Sequence, residues 1–227
     1  HDQSSAASDV YKRQALYNIN LDPHEVNDLS KSEDHKEILL QMRGQLQERI
    51  LSMPDLSFYP EPYLLDNALK NPTTFGQKNK EAIAELIAIA DLNLAPFEKV
   101  EAKIKAALRD KNPWKRYWGL IVCSSFGTKA KGLVPLIRSI LKTDKENLVR
   151  IRAAEYLMLN KISFDKKILK NLLENADSET EANLMLNTLS LIKEYDPNIK
   201  FNFSKEIFPT QWYDKPCLLY TSDAADD

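Results

Sequence analysis

From about Lys78 onward, apolar residues recur three and four positions apart in one segment after another. That spacing predicts helices over 78–91, 96–109, 113–126, 129–142, 147–160, 165–176 and 179–194. The connectors between them are short and carry Asn, Asp, Pro or Gly, and no alternating pattern interrupts the series. Sliding the chain by 36 residues sets Arg116 on Arg152, Leu120 on Tyr156, Ile121 on Leu157, Leu133 on Leu169, Leu136 on Leu172 and Ile137 on Leu173. Apolar meets apolar through two successive helices. Units of this kind bury their faces only against their neighbours, so a short right-handed stack of helix pairs is expected.

Upstream of residue 78 the pattern changes. Ile38, Leu39, Met42, Leu46, Ile50 and Met53 recur at helical spacing in a helix opening near Ser32, with Gly44 and Gln45 off the stripe. Pro54, Pro60 and Pro62, interleaved with Phe58, Tyr59 and Tyr63, make "PDLSFYPEPY" an extended connector that no helix can cross. "ALYNIN", Ala15 to Asn20, fits a short strand. Asp22-Pro23-His24-Glu25 reads as a helix start, with Asp22 capping, Pro23 in the first turn and Glu25 reaching back to the cap nitrogen. Residues 195–216 lead toward one more helix.

The two ends do not share this logic. With one permitted choice of codons, the reverse complement of Ser4–Gln14 translates as Cys217 to Asp226, and this inverted repeat looks like a transposase adapter used for short-read libraries. Residues 1–14 and 217–227 are therefore expected to be adapter artefact and are set aside from fold reasoning. The organisation is then 15–53, 54–77 as connector, and 78–216 as the helical repeats. On this expectation both natural termini are missing.

Setting the ends aside changes the charge. The full chain has 31 basic and 33 acidic residues; without Lys12, Arg13 and Asp2, Asp9, Asp223, Asp226 and Asp227 the balance is 29 to 28. A near-neutral chain argues against a dedicated polyanion binder, and no nucleic acid is expected as partner. No apolar run approaches the length of a membrane span, so no transmembrane segment is expected. Of the two cysteines only Cys123 remains, too few for an internal disulfide or a cysteine metal site.

Chemistry-bearing patterns are sparse. Asp22, His24 and Glu25 crowd three possible metal ligands, but a capped first turn accounts for Asp22 and Glu25. His24 and His35 are the histidines of 15–216, which leaves little for a Ser-His-Asp or H-E-x-x-H arrangement. Cys123 sits among apolar neighbours and reads as a small buried side chain. The five glycines are scattered, so no phosphate-cradling loop exists. Trp114, Tyr117 and Trp118 share one helix face, as a sugar-stacking platform or, the favoured reading, as core between repeats. Between Arg109 and Arg152 eleven basic residues face three acidic ones. The ordinary reading is a solvated face. The sharper one is that Lys115, Lys129, Lys131, Arg138 and Arg150 converge on one surface that attracts a sulfated glycan. No catalytic, cofactor-binding or metal residue is assigned.

Two stretches carry a family resemblance. "LYNINLDPHEVNDLS", Leu16 to Ser30, resembles the "LYDL-x-x-DP-x-E-x-x-NLA" stretch near the end of the catalytic module of type I sulfatases. "NPWKRYWGLIVCSSFG" and "NLVRIRAAEYLMLNKIS" resemble the first helix of HEAT-like repeats, and "MPDLSFYPEPYLL" with "NPWKRYWGLIVCSSFG" resembles the helical extension of some bacterial sulfatases. The resemblance implies that 15–53 is the tail of the catalytic module, with "LYNI" the last strand of its small C-terminal subdomain and the family's closing helix after it. The fold class expected is thus mostly α: a remnant strand and helix, then a HEAT-like stack.

Type I sulfatases hydrolyse sulfate esters with a formylglycine made from the first residue of C/S-x-P-S-R, beside a calcium ion. No such motif occurs here; "CSSFG" from Cys123 lacks the Pro and Arg. The resemblance therefore implies calcium and formylglycine for a parent protein, none in this segment, and a parent that is periplasmic or extracellular. The segment is not expected to be catalytically competent. Its implied partner is the missing N-terminal catalytic module of the same chain. The alternative expectation is a stand-alone helical-repeat scaffold for protein interaction. A lone strand at 15–20 discriminates: a severed module leaves one loosely held, whereas a self-contained repeat protein has no use for it.

Overall fold

The computed structural model describes residues 15–201 and 205–212; the two ends set aside as adapter lie outside the described residues. The fold is mostly helical, and its helices form a stack. After α1 (Lys36–Ser52), α2 (Glu61–Asn67) and α3 (Pro72–Lys78) come α4 (Lys80–Ala90), α5 (Phe97–Ala107), α6 (Pro113–Phe126), α7 (Val134–Thr143), α8 (Asn147–Leu159), α9 (Lys167–Glu174) and α10 (Glu179–Tyr195). Helices α4 to α10 fall within a few residues of the seven predicted segments. The exception is 129–142, whose first part is a 3-10 stretch, Gly127–Leu133.

Local chemistry sets the helix ends. Asn112 caps α6 by accepting from the Trp114 amide at 2.9 Å, with Pro113 in the first turn where its missing N–H is harmless. Ser178 accepts from the Glu181 amide at 3.1 Å, and the Glu181 carboxylate turns back to take the Asp177 amide at 2.7 Å, a variant of the reciprocal cap. Gly127 ends α6 at φ 56°, ψ −127°, a conformation open only to glycine.

Helices α4, α6, α8 and α10 pack side by side as one layer, while α5 lies on α6 and α7 and α9 lie on α8. One continuous core runs between the layers, from Ile83 and Leu86 through Leu120, Val122, Ile137 and Tyr156 to Leu172, Leu186 and Leu189. Gly119 lets α6 approach α5: a Cβ there would meet Leu108 Cδ2 at 3.1 Å. The repeat step differs from 36. Helix α6 begins at Pro113 and α8 at Asn147, 34 residues on; α7 begins at Val134 and α9 at Lys167, 33 on. The step is two to three residues shorter than 36; helices such as α8, buried from Leu148 to Met158 on nearly every face, set apolar on apolar in more than one register, so a sequence comparison scores both well. At 34 residues one polar contact repeats, the Asp110 carboxylate taking the Asn112 amide and the Asp144 carboxylate the Glu146 amide, whereas the arginines aligned at 36 differ. Arg116 grips Asp144 through two hydrogen bonds, at 2.6 and 2.7 Å, and donates to the Asp110 and Lys111 carbonyls. Arg152 instead pairs with Glu155 and Tyr117.

Segment 54–77 is not an extended connector. It turns through a 3-10 stretch, Leu56–Phe58, into α2 and α3. Pro60 and Pro62 open α2 rather than forbidding it, because proline is tolerated in a first helical turn. Phe58 and Tyr59 are buried, Tyr63 rests on Trp114 at 5.0 Å between ring centroids, and Trp118 donates its indole N–H to the Phe58 carbonyl at 2.8 Å. Helix α2 also packs on α10. Trp114, Tyr117 and Trp118 are buried, so the core reading of that cluster holds.

The N-terminal expectations fare differently. No strand occurs at 15–20, nor anywhere among the described residues. Leu16 is fixed instead by a loop closure: its amide donates to Asp28 Oδ1 at 3.0 Å and its carbonyl accepts from the Leu29 amide at 2.7 Å. The helix expected after Asp22 is absent too. Asp22 does accept two backbone amides, from Val26 at 3.1 Å and Asn27 at 2.7 Å, which holds its carboxyl below the usual range. Glu25, however, adopts φ 54°, and that left-handed residue breaks the helix before its first turn closes. Residues 195–216 likewise show only 3-10 turns, Lys205–Ile207 and Thr210–Trp212, where described.

Helix α1 lies against the stack along one edge. Arg43 and Gln47 reach Asp91 at 3.3 and 3.2 Å, and Ile50 and Leu51 are half-buried on the core. Its other apolar stripe is bare: Ile38, Met42 and Leu46, with Met53 just past its end, are 49–57 % exposed, and no residue of α1 is buried. Ile19, Leu21 and Val26 are exposed as well.

Candidate functional site

Of the five cations expected on one surface, four fall at two edges of the stack. Lys115 stands in the first turn of α6, held by Glu85 at 2.8 Å and Asp110 at 3.4 Å, and the Glu85 carboxylate raises its ammonium above the ordinary value. Arg150, at the same edge, donates its Nε–H to the Leu141 carbonyl at 3.0 Å and so caps α7. Lys129 and Lys131 lie beyond the other end of α6, a helix about 20 Å long at 1.5 Å per residue; both are exposed. Arg138 sits midway along α7. Lys115 and Arg150 thus serve local structure, and Lys129 and Lys131 are the pair that the fold brings together in solvent.

Neither group that the resemblance implies for a parent fits the residues present. Cys123 is wholly buried in the middle of α6, and burial pushes its thiol up to about 12. A thiol in that setting is inert, so Cys123 as a small core residue stands. For calcium, the described residues hold no group of three acidic, His or Cys side chains. Pro113–Thr143 is long and apolar enough to cross a membrane by composition, contrary to the sequence expectation. Yet Gly127 breaks it into two helices, and Leu120, Val122, Ile137 and Leu141 on it are core residues.

A buried ionic cluster links α6 to α8. Arg152 bonds Glu155 and the Tyr117 hydroxyl, the latter at 2.9 Å, and its guanidinium lies 5.1 Å from the Tyr117 ring centre. Burial pulls the guanidinium down, but Tyr117 and Glu155 outweigh it and hold the group charged. All three partners are shut from solvent, so the cluster ties helices together rather than meeting a ligand.

A site-like concavity lies elsewhere, where the C-terminal ends of α4, α6, α8 and α10 come abreast. A cavity of about 950 Å³ is lined there by Asn93 after α4, Ser124 and Thr128 at the end of α6, Asn160 and Lys161 after α8, and Tyr195 at the end of α10. Leu94, Leu159 and Leu191 supply its apolar floor. The Asn160 side-chain amide donates to the Tyr156 carbonyl at 2.8 Å, and the Tyr156 hydroxyl donates to the Gly127 carbonyl at 3.2 Å, which knits the two rims together. Lys161 has φ 55° and is the left-handed residue of a Schellman ending, with the Ile162 amide on the Leu157 carbonyl at 2.8 Å. None of these residues stood out in sequence, because each comes from a different helix end. The signal was the recurrence of stop residues, Gly127 and Asn160-Lys161, one repeat apart.

Compared with protein-family models, curated proteins and solved structures, the chain matches none.

Proposed function

We propose that the chain is the C-terminal portion of a type I sulfatase, in which a helical-repeat extension follows the tail of a catalytic module. In this reading the parent hydrolyses sulfate esters, with sulfated glycans as the substrate class, and the present segment acts structurally. The observation that carries it is the fifteen-residue likeness at Leu16–Ser30, and the exposed stripe of α1 supports it. A 17-residue helix with four large apolar side chains about half or more in solvent is a poor free surface. A catalytic module upstream gives that stripe, and Ile19, Leu21 and Val26 beside it, something to pack against. Calcium and formylglycine belong to that upstream module.

A long sequencing read through the source locus tests this. A frame continuing upstream of Ala15 into a C/S-x-P-S-R motif is the expected result. A start codon just before Ala15, or an upstream frame without the motif, refutes it and leaves the second reading, a stand-alone helical scaffold whose partner covers α1. That reading is favoured by two facts: no strand occurs at 15–20, and the continuous core from Phe58 to Phe208 is complete without residues 15–35.

A further inference from the structure

We propose that the cavity at the C-terminal ends of α4, α6, α8 and α10 is a binding site for a neutral saccharide. The argument begins with what lines it. The Thr128 hydroxyl supplies a donor and an acceptor, the Asn160 amide an acceptor oxygen, Lys161 adds a cation, and no carboxylate contributes. A sugar needs that mixture, since every hydroxyl donates once and accepts twice.

The aromatic component is Tyr195, which is 65 % exposed at the rim. Its ring offers a flat apolar face with a polar tip, and the leucine floor extends that apolar contact. The volume lies within the range of small-molecule sites, about 300–1,000 Å³, enough for more than one sugar ring.

Charge selects neutral over anionic ligands. Helix C-termini carry partial negative charge, and four of them face this cavity. Lys161 offsets part of that field. The resulting near-neutral polar surface suits a ligand with many hydroxyls and no charge.

Saturation-transfer NMR on the full chain, with lactose, maltose, cellobiose and N,N′-diacetylchitobiose as probes at millimolar concentration, tests the assignment. Transfer to at least one disaccharide is expected, with affinity reduced about tenfold or more in Tyr195→Ala and Thr128→Val. Tyr195 is exposed, and circular dichroism of that variant confirms an unchanged helical fold. Three results overturn the proposal: no transfer to any probe, transfer undiminished in both variants, or binding confined to glucose 6-sulfate and abolished by added salt. The upstream sequencing result has no bearing on these outcomes, so the two readings fail separately.

Discussion

Trp118→Phe tests whether residues 54–63 are an integral part of the stack. Trp118 is 2 % exposed, its ring centre lies 5.1 Å from that of Phe58, and its indole N–H reaches the Phe58 carbonyl across 60 residues of sequence. Phenylalanine keeps the six-membered ring and removes the donor. The stranded carbonyl then costs about 1–3 kcal/mol. The side chain also shrinks by about 40 Å³, which at about 24 cal/mol per Å³ of residual cavity adds roughly 1 kcal/mol. The expected loss is about 2–4 kcal/mol, or roughly 5–12 °C in Tm for a chain of this size.

Urea unfolding followed by far-UV circular dichroism measures the loss, and a double-mutant cycle with Phe58→Ala localises it. The two rings touch, so the substitutions should couple by about 0.5–1.5 kcal/mol. Limited proteolysis gives a second readout, with cleavage of the variant appearing first within 54–63. A loss below about 1 kcal/mol, or strict additivity with Phe58→Ala, would refute the reasoning and return the segment to the status of a loose connector.

Lys161→Gly should stabilise the protein by about 0.5–1 kcal/mol, because glycine adopts φ 55° without the steric cost a lysine bears there; a thermal melt that falls instead would mean that the lysine side chain earns its place through contacts. Glu181 is buried, and burial raises its carboxyl despite the bond from the Asp177 amide. The folded state thus holds its proton more tightly than the unfolded one, so stability should decline as pH rises from about 4.3 through the raised value. Urea midpoints between pH 4 and pH 7 should show that decline flattened in Glu181→Gln. Asp144→Ala should cost about 3–5 kcal/mol, since it strands Arg116 with two of its bonds gone in a partly buried site; a change in urea midpoint equivalent to less than 1 kcal/mol would make the pair a surface one in energetic terms. In a Cys217→Ser background, Cys123 should resist a thiol reagent until the protein unfolds, so its labelling rate should track the population of the unfolded state.

The helices of the stack were legible because a 3.6-residue period in the apolar positions needs only one kind of neighbour, another helix of the same chain. The same signal left the repeat step two to three residues too long, since a helix buried on nearly every face, as α8 is, matches its neighbour in several registers. Proline misled where its position mattered more than its presence: Pro62 was read as a barrier, yet it sits where a helix begins, as Pro23 had been expected to do. Asp22 accepts backbone amides as a cap would, but those of Val26 and Asn27 rather than of a first helical turn, and the helix it should have started is cancelled by a single dihedral at Glu25 that no periodicity encodes. Helix α1 shows the deeper limit. Its stripe reads in sequence like that of any core-facing helix, but periodicity states only that a face is apolar, and the covering partner is a property of what else is present. Ile50 and Leu51 find the stack; Ile38, Met42 and Leu46 do not. The cavity inverts the case: Ser124, Asn160, Lys161 and Tyr195 are unremarkable in their own helices and acquire chemistry only because stacking brings four helix ends abreast. A repeat protein's core is written along each helix, whereas its sites are written across helices, at the repeat spacing.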